Sequence, residues 1–186
     1  MRRVSSRLLK KLYVDGGKLF AKPPRNKDVV VVSVPHCGTR FYWDLLHCNY
    51  VHCTDLNDGE LKEFVGDSLI VCPLRDPMSV WRSWLAREDT AFALPRERFD
   101  DEWKRLEEID SQHDVHYVPL DTKQRDKAHS ELEKKLGREL VTDFKAKNKY
   151  DKDVPLVERD LSWIYDIKPV KENYALYSAA NLSLAS

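Results

Sequence analysis

The chain has 186 residues, 42% hydrophobic and 33% charged, with 31 Lys and Arg balanced by 31 Asp and Glu. These totals describe one globular domain with room for a core and exclude a disordered chain. A net charge of zero gives no overall pull towards nucleic acid, and no apolar run approaches the roughly 18 residues of a membrane span.

In chain order, residues 1–27 carry Arg2, Arg3, Arg7, Lys10, Lys11, Lys18, Lys22, Arg25 and Lys27 against a lone acid, Asp15. Val4, Leu8 and Leu12 recur every four residues, which predicts a short basic amphipathic helix. Such a helix either lies solvated on the domain or makes a peripheral contact with an anionic membrane surface or an acidic acceptor. Leu8-Leu9 runs directly into Lys10-Lys11, which leaves no signal-peptide core. The expectation is a cytoplasmic chain whose four cysteines are reduced thiols. Gly16-Gly17 and Pro23-Pro24 read as a linker.

Val29 to Val34, broken only by Ser33, reads as a strand buried on both faces in a parallel sheet. Pro35 ends it, Gly38 frees the turn, and Thr39 is expected to cap a helix carrying Phe41, Trp43, Leu45 and Leu46. A strand, a small-residue turn and a helix N-terminus aim backbone N–H groups at one point, which makes an anion cradle. It is not a Walker A loop, because it has one Gly and no Lys before the helix.

The pattern then alternates. Tyr50 to Thr54 is a strand, Asp58 to Val65 a helix, and Ser68 to Cys72 a third strand. Arg75 follows, with Asp76 as N-cap and Pro77 in the first turn of a helix. Residues 95–112 form a charged helix with Phe99, Trp103, Leu106 and Ile109 as its buried stripe. Asp114 to Val118 is a fourth strand, and a helix from about Lys127 stops at Gly137. Leu156, Leu161, Trp163, Ile164 and Tyr165 predict a helical C-terminal segment packed on the sheet edge. This is a single α/β domain: a basic extension at 1–27, a core at 29–140 and a helical segment at 141–186. Its parallel sheet has four or five strands flanked by helices, with the ligand beyond the strands' C-terminal ends.

Pro35-His36-Cys37-Gly38-Thr39-Arg40-Phe41 resembles the 5'-phosphosulfate loop of sulfotransferases that use 3'-phosphoadenosine 5'-phosphosulfate (PAPS), usually Pro-Lys-Ser-Gly-Thr-Thr-Trp. Pro35, Gly38 and Thr39 match and Phe41 keeps an aromatic, whereas His36, Cys37 and Arg40 are replacements. Arg75 and Ser83 stand eight apart, with Asp76-Pro77 after the Arg and Trp84 after the Ser. That is similar to the family's 3'-phosphate pattern. A strand-end Arg offers a fork of donors, and a Ser two helical turns on adds a hydroxyl from the same side. The strand, turn and helix from Val115 to Gly137 are also similar to the family's. The resemblance covers roughly residues 29–140.

The resemblance implies a three-layer, P-loop-like, sulfotransferase-like fold and transfer of a sulfonate group from PAPS to a hydroxyl or amine acceptor, without a metal. Pro35 to Phe41 are implied to bind the 5' end, and Arg75 and Ser83 the 3'-phosphate. The leaving group's charge would fall on the N–H groups of Cys37 to Arg40, with Arg40 or His36 as the side-chain cation. His52, on the strand before the Arg motif, is implied as the base, with Asp55, Asp58 and Glu60 as substitutes. The family's Gly-rich closing loop is missing after residue 140. The run Lys145 to Lys149 or Arg159 is left to supply charge, unless the cofactor is held more openly or a partner chain completes the site. Trp81, Trp84 and residues 87–95 are placed to line an acceptor pocket. The acceptor is a small molecule or a glycan: a phenol, a sugar and a glycolipid head group all remain open.

Other chemistries fit less well. The dipeptide His-Cys occurs at 36–37, 47–48 and 52–53, but neighbours on a strand point to opposite faces and no Cys-x-x-Cys is present, which argues against a metal site. A cysteine phosphatase needs His-Cys-x5-Arg, and Trp43, Thr54 and Gly59 stand where the Arg should be. Two rival functions remain: a small P-loop nucleotide kinase, and a catalytically idle sulfotransferase-like binding or assembly protein.

Overall fold

The computed structural model describes residues 12–15, 18–21, 26–88, 93–120, 124–140 and 159–174. Strands β1 (Leu12–Asp15) and β2 (Lys18–Ala21) pair antiparallel, with Asp15 opposite Lys18. Leu12 therefore begins a strand rather than ending a helix, and the expected linker carries a hairpin. Tyr13, Val14, Leu19 and Phe20 favour extended backbone, and a two-residue Gly-Gly connection suits a tight hairpin. Residues 1–11 lie outside the described residues.

The centre is an all-parallel sheet of β3 (Val29–Ser33), β4 (Asn49–His52), β5 (Leu69–Leu74) and β6 (Val115–Pro119), in spatial order β4-β3-β5-β6. Helix α1 (Thr39–Leu46) joins β3 to β4, and α2 (Asp58–Val65) joins β4 to β5. Helices α3 (Pro77–Leu85) and α4 (Glu97–Gln112) lead to β6, α5 (Arg125–Leu136) follows it, and α6 (Ser162–Asp166) precedes a further helical stretch at 168–174.

Val29 and Val31 pack with Tyr42, Leu46 and Leu132 of α1 and α5, while Val30 and Val32 face the opposite layer. That second layer contains Leu61, Val80, Trp81, Trp84, Phe99, Trp103 and Leu106. A strand buried on both faces has no polar side to show, which is why β3 is an unbroken apolar run but for Ser33. The crossover to β4 runs over one face and the return to β5 over the other, so both keep one hand.

The C-terminal segment does not sit at the edge. Leu161, Ile164, Ile167, Val170 and Tyr174 are buried in the α3–α4 layer, and the Tyr174 hydroxyl donates to the Leu74 carbonyl (3.0 Å) at the end of an inner strand. Its apolar spacing reveals that a face is buried but not which surface receives it. Leu156 lies outside the described residues.

Helix ends follow the local sequence. Asp76 caps α3 by accepting the Ser79 N–H (2.9 Å), with Pro77 in the first turn. Asn57 and Glu60 form a capping box on α2, and Gly137 ends α5 at φ +64°. Thr39 is the exception. Gly38 is the cap of α1, and Thr39 is its first helical residue, its hydroxyl buried against that of Ser33 (2.7 Å).

Candidate functional site

The chain leaves β3 towards β4 on one side and leaves β5 towards β6 on the other. The C-terminal ends of β3 and β5 thus flank the switch point where open α/β sheets hold ligands. The loop from Val34 to Gly38 and Arg75 both lie there. Gly38 has φ +86°, and a Cβ on it would lie 2.6 Å from Leu120 Cδ1, so any other residue would be strained there and would displace that leucine. No side chain caps α1, whose amide dipoles point out of the turn.

His36 stands at the apex with φ +70°. Its Nδ1 hydrogen-bonds the Ser83 hydroxyl (3.0 Å), and its ring stacks on Trp84 with centroids 5.4 Å apart. Burial, then Arg87, His52 and Arg75, push its pKa down to about 3. The side chain expected to be a cation is therefore a neutral imidazole, because desolvation and neighbouring positive charge both oppose protonation. The loop and the Arg75–Ser83 motif, 35 or more residues apart in sequence, meet through His36.

His52 ends β4 beside Ser33. Its Nδ1 is buried without a hydrogen-bond partner, and its backbone N–H donates to Asp55 (2.9 Å). Burial is the main influence lowering its pKa, and Asp55 and Glu102 oppose the shift. A neutral imidazole is the form that accepts a hydrogen bond or a proton, although Nδ1 itself is closed off from solvent.

The alternative acids are occupied. Asp55 holds Arg98 (2.7 Å), Asp58 pairs with Arg105, and Glu60 completes the α2 capping box. Arg159 is no stand-in for a closing loop: its guanidinium lies 4.7 Å from the Trp81 ring centroid and binds Asp100. Trp81, 1% exposed and edge-on to Phe99, is core rather than pocket wall. Trp84 is equally buried and reaches the site through the ring of His36. Cys37 and Pro35 are buried under the turn, while Arg40 is exposed on the first turn of α1 and Phe41 is half-buried. Residues 145–149 lie outside the described residues.

Two features go beyond the sequence reading. Arg87, expected only as the start of the loop lining an acceptor pocket, bears on His36 from one turn beyond Ser83, a four-residue spacing that marks it in retrospect. Glu102, fully buried, accepts from the Thr54 N–H (3.2 Å) and hydroxyl (2.6 Å) and from Arg98 (2.7 Å). Its spacing from Phe99 and Leu106 puts it on the buried stripe of α4, but its partner is not written in the neighbouring sequence.

All four cysteines are buried free thiols, and burial pushes Cys53 and Cys72 well above the usual thiol range. Among the described residues no three His, Cys, Asp or Glu side chains are grouped to hold a metal, and no helix is long and apolar enough to cross a membrane. A cleft of about 570 Å³ lies at the other end of the strands, by Asn26, His47, Leu69 and Lys135, remote from His36 and His52. No protein-family model, curated protein or solved structure matches this chain.

Proposed function

We propose that this chain binds PAPS across the ends of β3 and β5 and transfers its sulfonate group to a hydroxyl or amine acceptor, releasing adenosine 3',5'-bisphosphate. One observation carries the proposal: Arg75, Ser83, His36 and His52, drawn from separate motifs, converge beside the Gly38 turn. In this reading the α1 N-terminus and the loop amides hold the 5' end, while Arg75 and Ser83 hold the 3'-phosphate. His52, neutral at the end of β4, takes the acceptor's proton as the bond from sulfur to the acceptor forms. The bond to the leaving phosphate breaks in line, and its charge falls on the loop amides.

A second reading, an idle fold that binds the nucleotide without turnover, is favoured by one feature. His36 is neutral and engages Ser83 where the family resemblance implies a cation.

The test is a thermal-shift titration with adenosine 3',5'-bisphosphate beside Mg-ATP and adenosine 5'-phosphate. At 100 times its Kd the bisphosphate should stabilise the fold by about 2.7 kcal/mol, and Arg75→Ala should abolish that shift. His52→Ala should leave the shift and remove turnover with PAPS. A shift without turnover in the unaltered chain selects the idle reading. Stabilisation by Mg-ATP alone turns the site to phosphoryl transfer, and a bisphosphate shift that survives Arg75→Ala puts the site elsewhere.

A further inference from the structure

The apex of the β3–α1 turn is a histidine in a backbone region that histidine seldom occupies, at φ +70°. Two ring contacts hold it there, the hydrogen bond to Ser83 (3.0 Å) and the stack on Trp84 (5.4 Å, 26°). The charged and titratable groups that bear on this ring come from three directions: Arg75 at the end of β5, Arg87 beyond α3 and His52 at the end of β4. Each disfavours a second positive charge, and among the described residues no carboxylate bears on the ring. The ring is neutral first because it is buried and then because the groups around it are positive.

We infer that this site takes up its anion together with one proton, carried by His36, and that the proton turns Ser83 from a partner of the ring into a donor for the anion.

The hydrogen-bond chemistry is specific. In the neutral state Nδ1 and the Ser83 hydroxyl share one proton arrangement, with either atom as donor. An imidazolium has N–H at both nitrogens, so Nδ1 must donate to Ser83 Oγ, and the hydroxyl's own hydrogen turns to another acceptor. A tetrahedral dianion beside Arg75 is that acceptor. Its charge also offsets the field of Arg75 and Arg87 that opposed protonation, and the imidazolium gains attraction to the Trp84 face beneath it. The proton comes from solvent, and no covalent bond changes. The inference rests on the anion site proposed above but not on its nucleotide, because any dianion seated there has the same effect.

Inorganic sulfate is the clean probe, since it neither gains nor loses a proton between pH 5.5 and 8. Calorimetry in two buffers of different ionisation enthalpy, with ionic strength held constant by chloride, counts protons taken up per sulfate. Imidazole nitrogen NMR of the unaltered chain identifies the ring that takes them. The expected results are uptake rising towards one proton per anion as pH falls, affinity gaining up to tenfold per pH unit, and the protonation signature on His36. His36→Gln keeps a hydrogen-bonding side chain that does not titrate, so its sulfate affinity should be flat across the range. Absence of uptake, a signature on His52 alone, or uptake retained in His36→Gln overturns the inference. Adenosine 3',5'-bisphosphate separates the two claims. If it binds while the His36 ring stays neutral, the nucleotide reading stands and this one falls. Sulfate-linked protonation without bisphosphate affinity gives the reverse, and no binding of either anion removes both.

Discussion

Gly38 meets two demands with one missing side chain: a left-handed backbone and contact with Leu120 from the turn after β6. Only the first is visible in sequence, as a glycine between a strand and a helix. Gly38→Ala should cost about 1–3 kcal/mol, from the strained φ and the displaced leucine, read as a lower urea midpoint. A loss below 0.5 kcal/mol would show that the turn relaxes freely. His36 and His52 illustrate the same division. Their positions at strand ends are legible, but their protonation is not, because it depends on what burial and Arg87 do around them. Thr39 was expected to cap its helix on residue type alone, yet its hydroxyl turns inward to Ser33, a partner visible only once β3 and α1 are packed.

Between elements, the tightest polar joint is where α4 clamps the turn after β4. Glu102 holds Thr54 twice and Arg98 once, Arg98 holds Asp55, and Asp55 holds the His52 N–H. The buried carboxylate thereby fixes the strand end that carries the candidate base. Glu102 is buried but Arg98 and Asp55 are 29% and 39% exposed, so water takes up part of what they lose, and Glu102→Ala should lose about 1–3 kcal/mol in urea unfolding. Glu107→Ala, exposed on the same helix, should stay within about 0.5 kcal/mol. Equal effects at the two positions would remove the clamp. The stripe of Phe99, Trp103, Leu106 and Ile109 was readable from its spacing, and all four are buried. Glu102 shares that spacing, but its role was not readable, because its partner lies 48 residues away across a loop.

For the whole molecule, neutral buried histidines tie stability to pH. His36, His52, His116 and His129 all have pKa values lowered chiefly by burial. His116 gives its Nε2 hydrogen to the Ala128 carbonyl (2.9 Å), and His129 bonds the buried Tyr42 hydroxyl. A histidine with a folded pKa below its unfolded value of 6.5 binds protons more readily in the unfolded chain. Its stabilisation is therefore complete above pH 6.5 and declines as pH falls towards the folded value. The urea midpoint should be level from pH 8 to 7 and fall from 6.5 to 5, before the carboxylates titrate. Replacing His129 with Gln should flatten part of that fall, whereas a midpoint independent of pH over this window would mean the rings are solvated when folded.

The sequence by itself determined the order of strands and helices from Val29 to Gly137, because a two-faced apolar run, a four-residue stripe, a cap and a stop glycine are each written in neighbouring residues. Gly38, Arg75 and Ser83 were grouped as a set only through the resemblance of their motifs to a known family. Tertiary structure decided the rest, for reasons of distance. Only the β4-β3-β5-β6 order brings the end of β4 beside the loop after β3, only packing seats His36 on Ser83 and Trp84, and only burial among arginines makes that ring neutral. The C-terminal helices likewise carried an apolar face without an address, until Tyr174 met the end of β5.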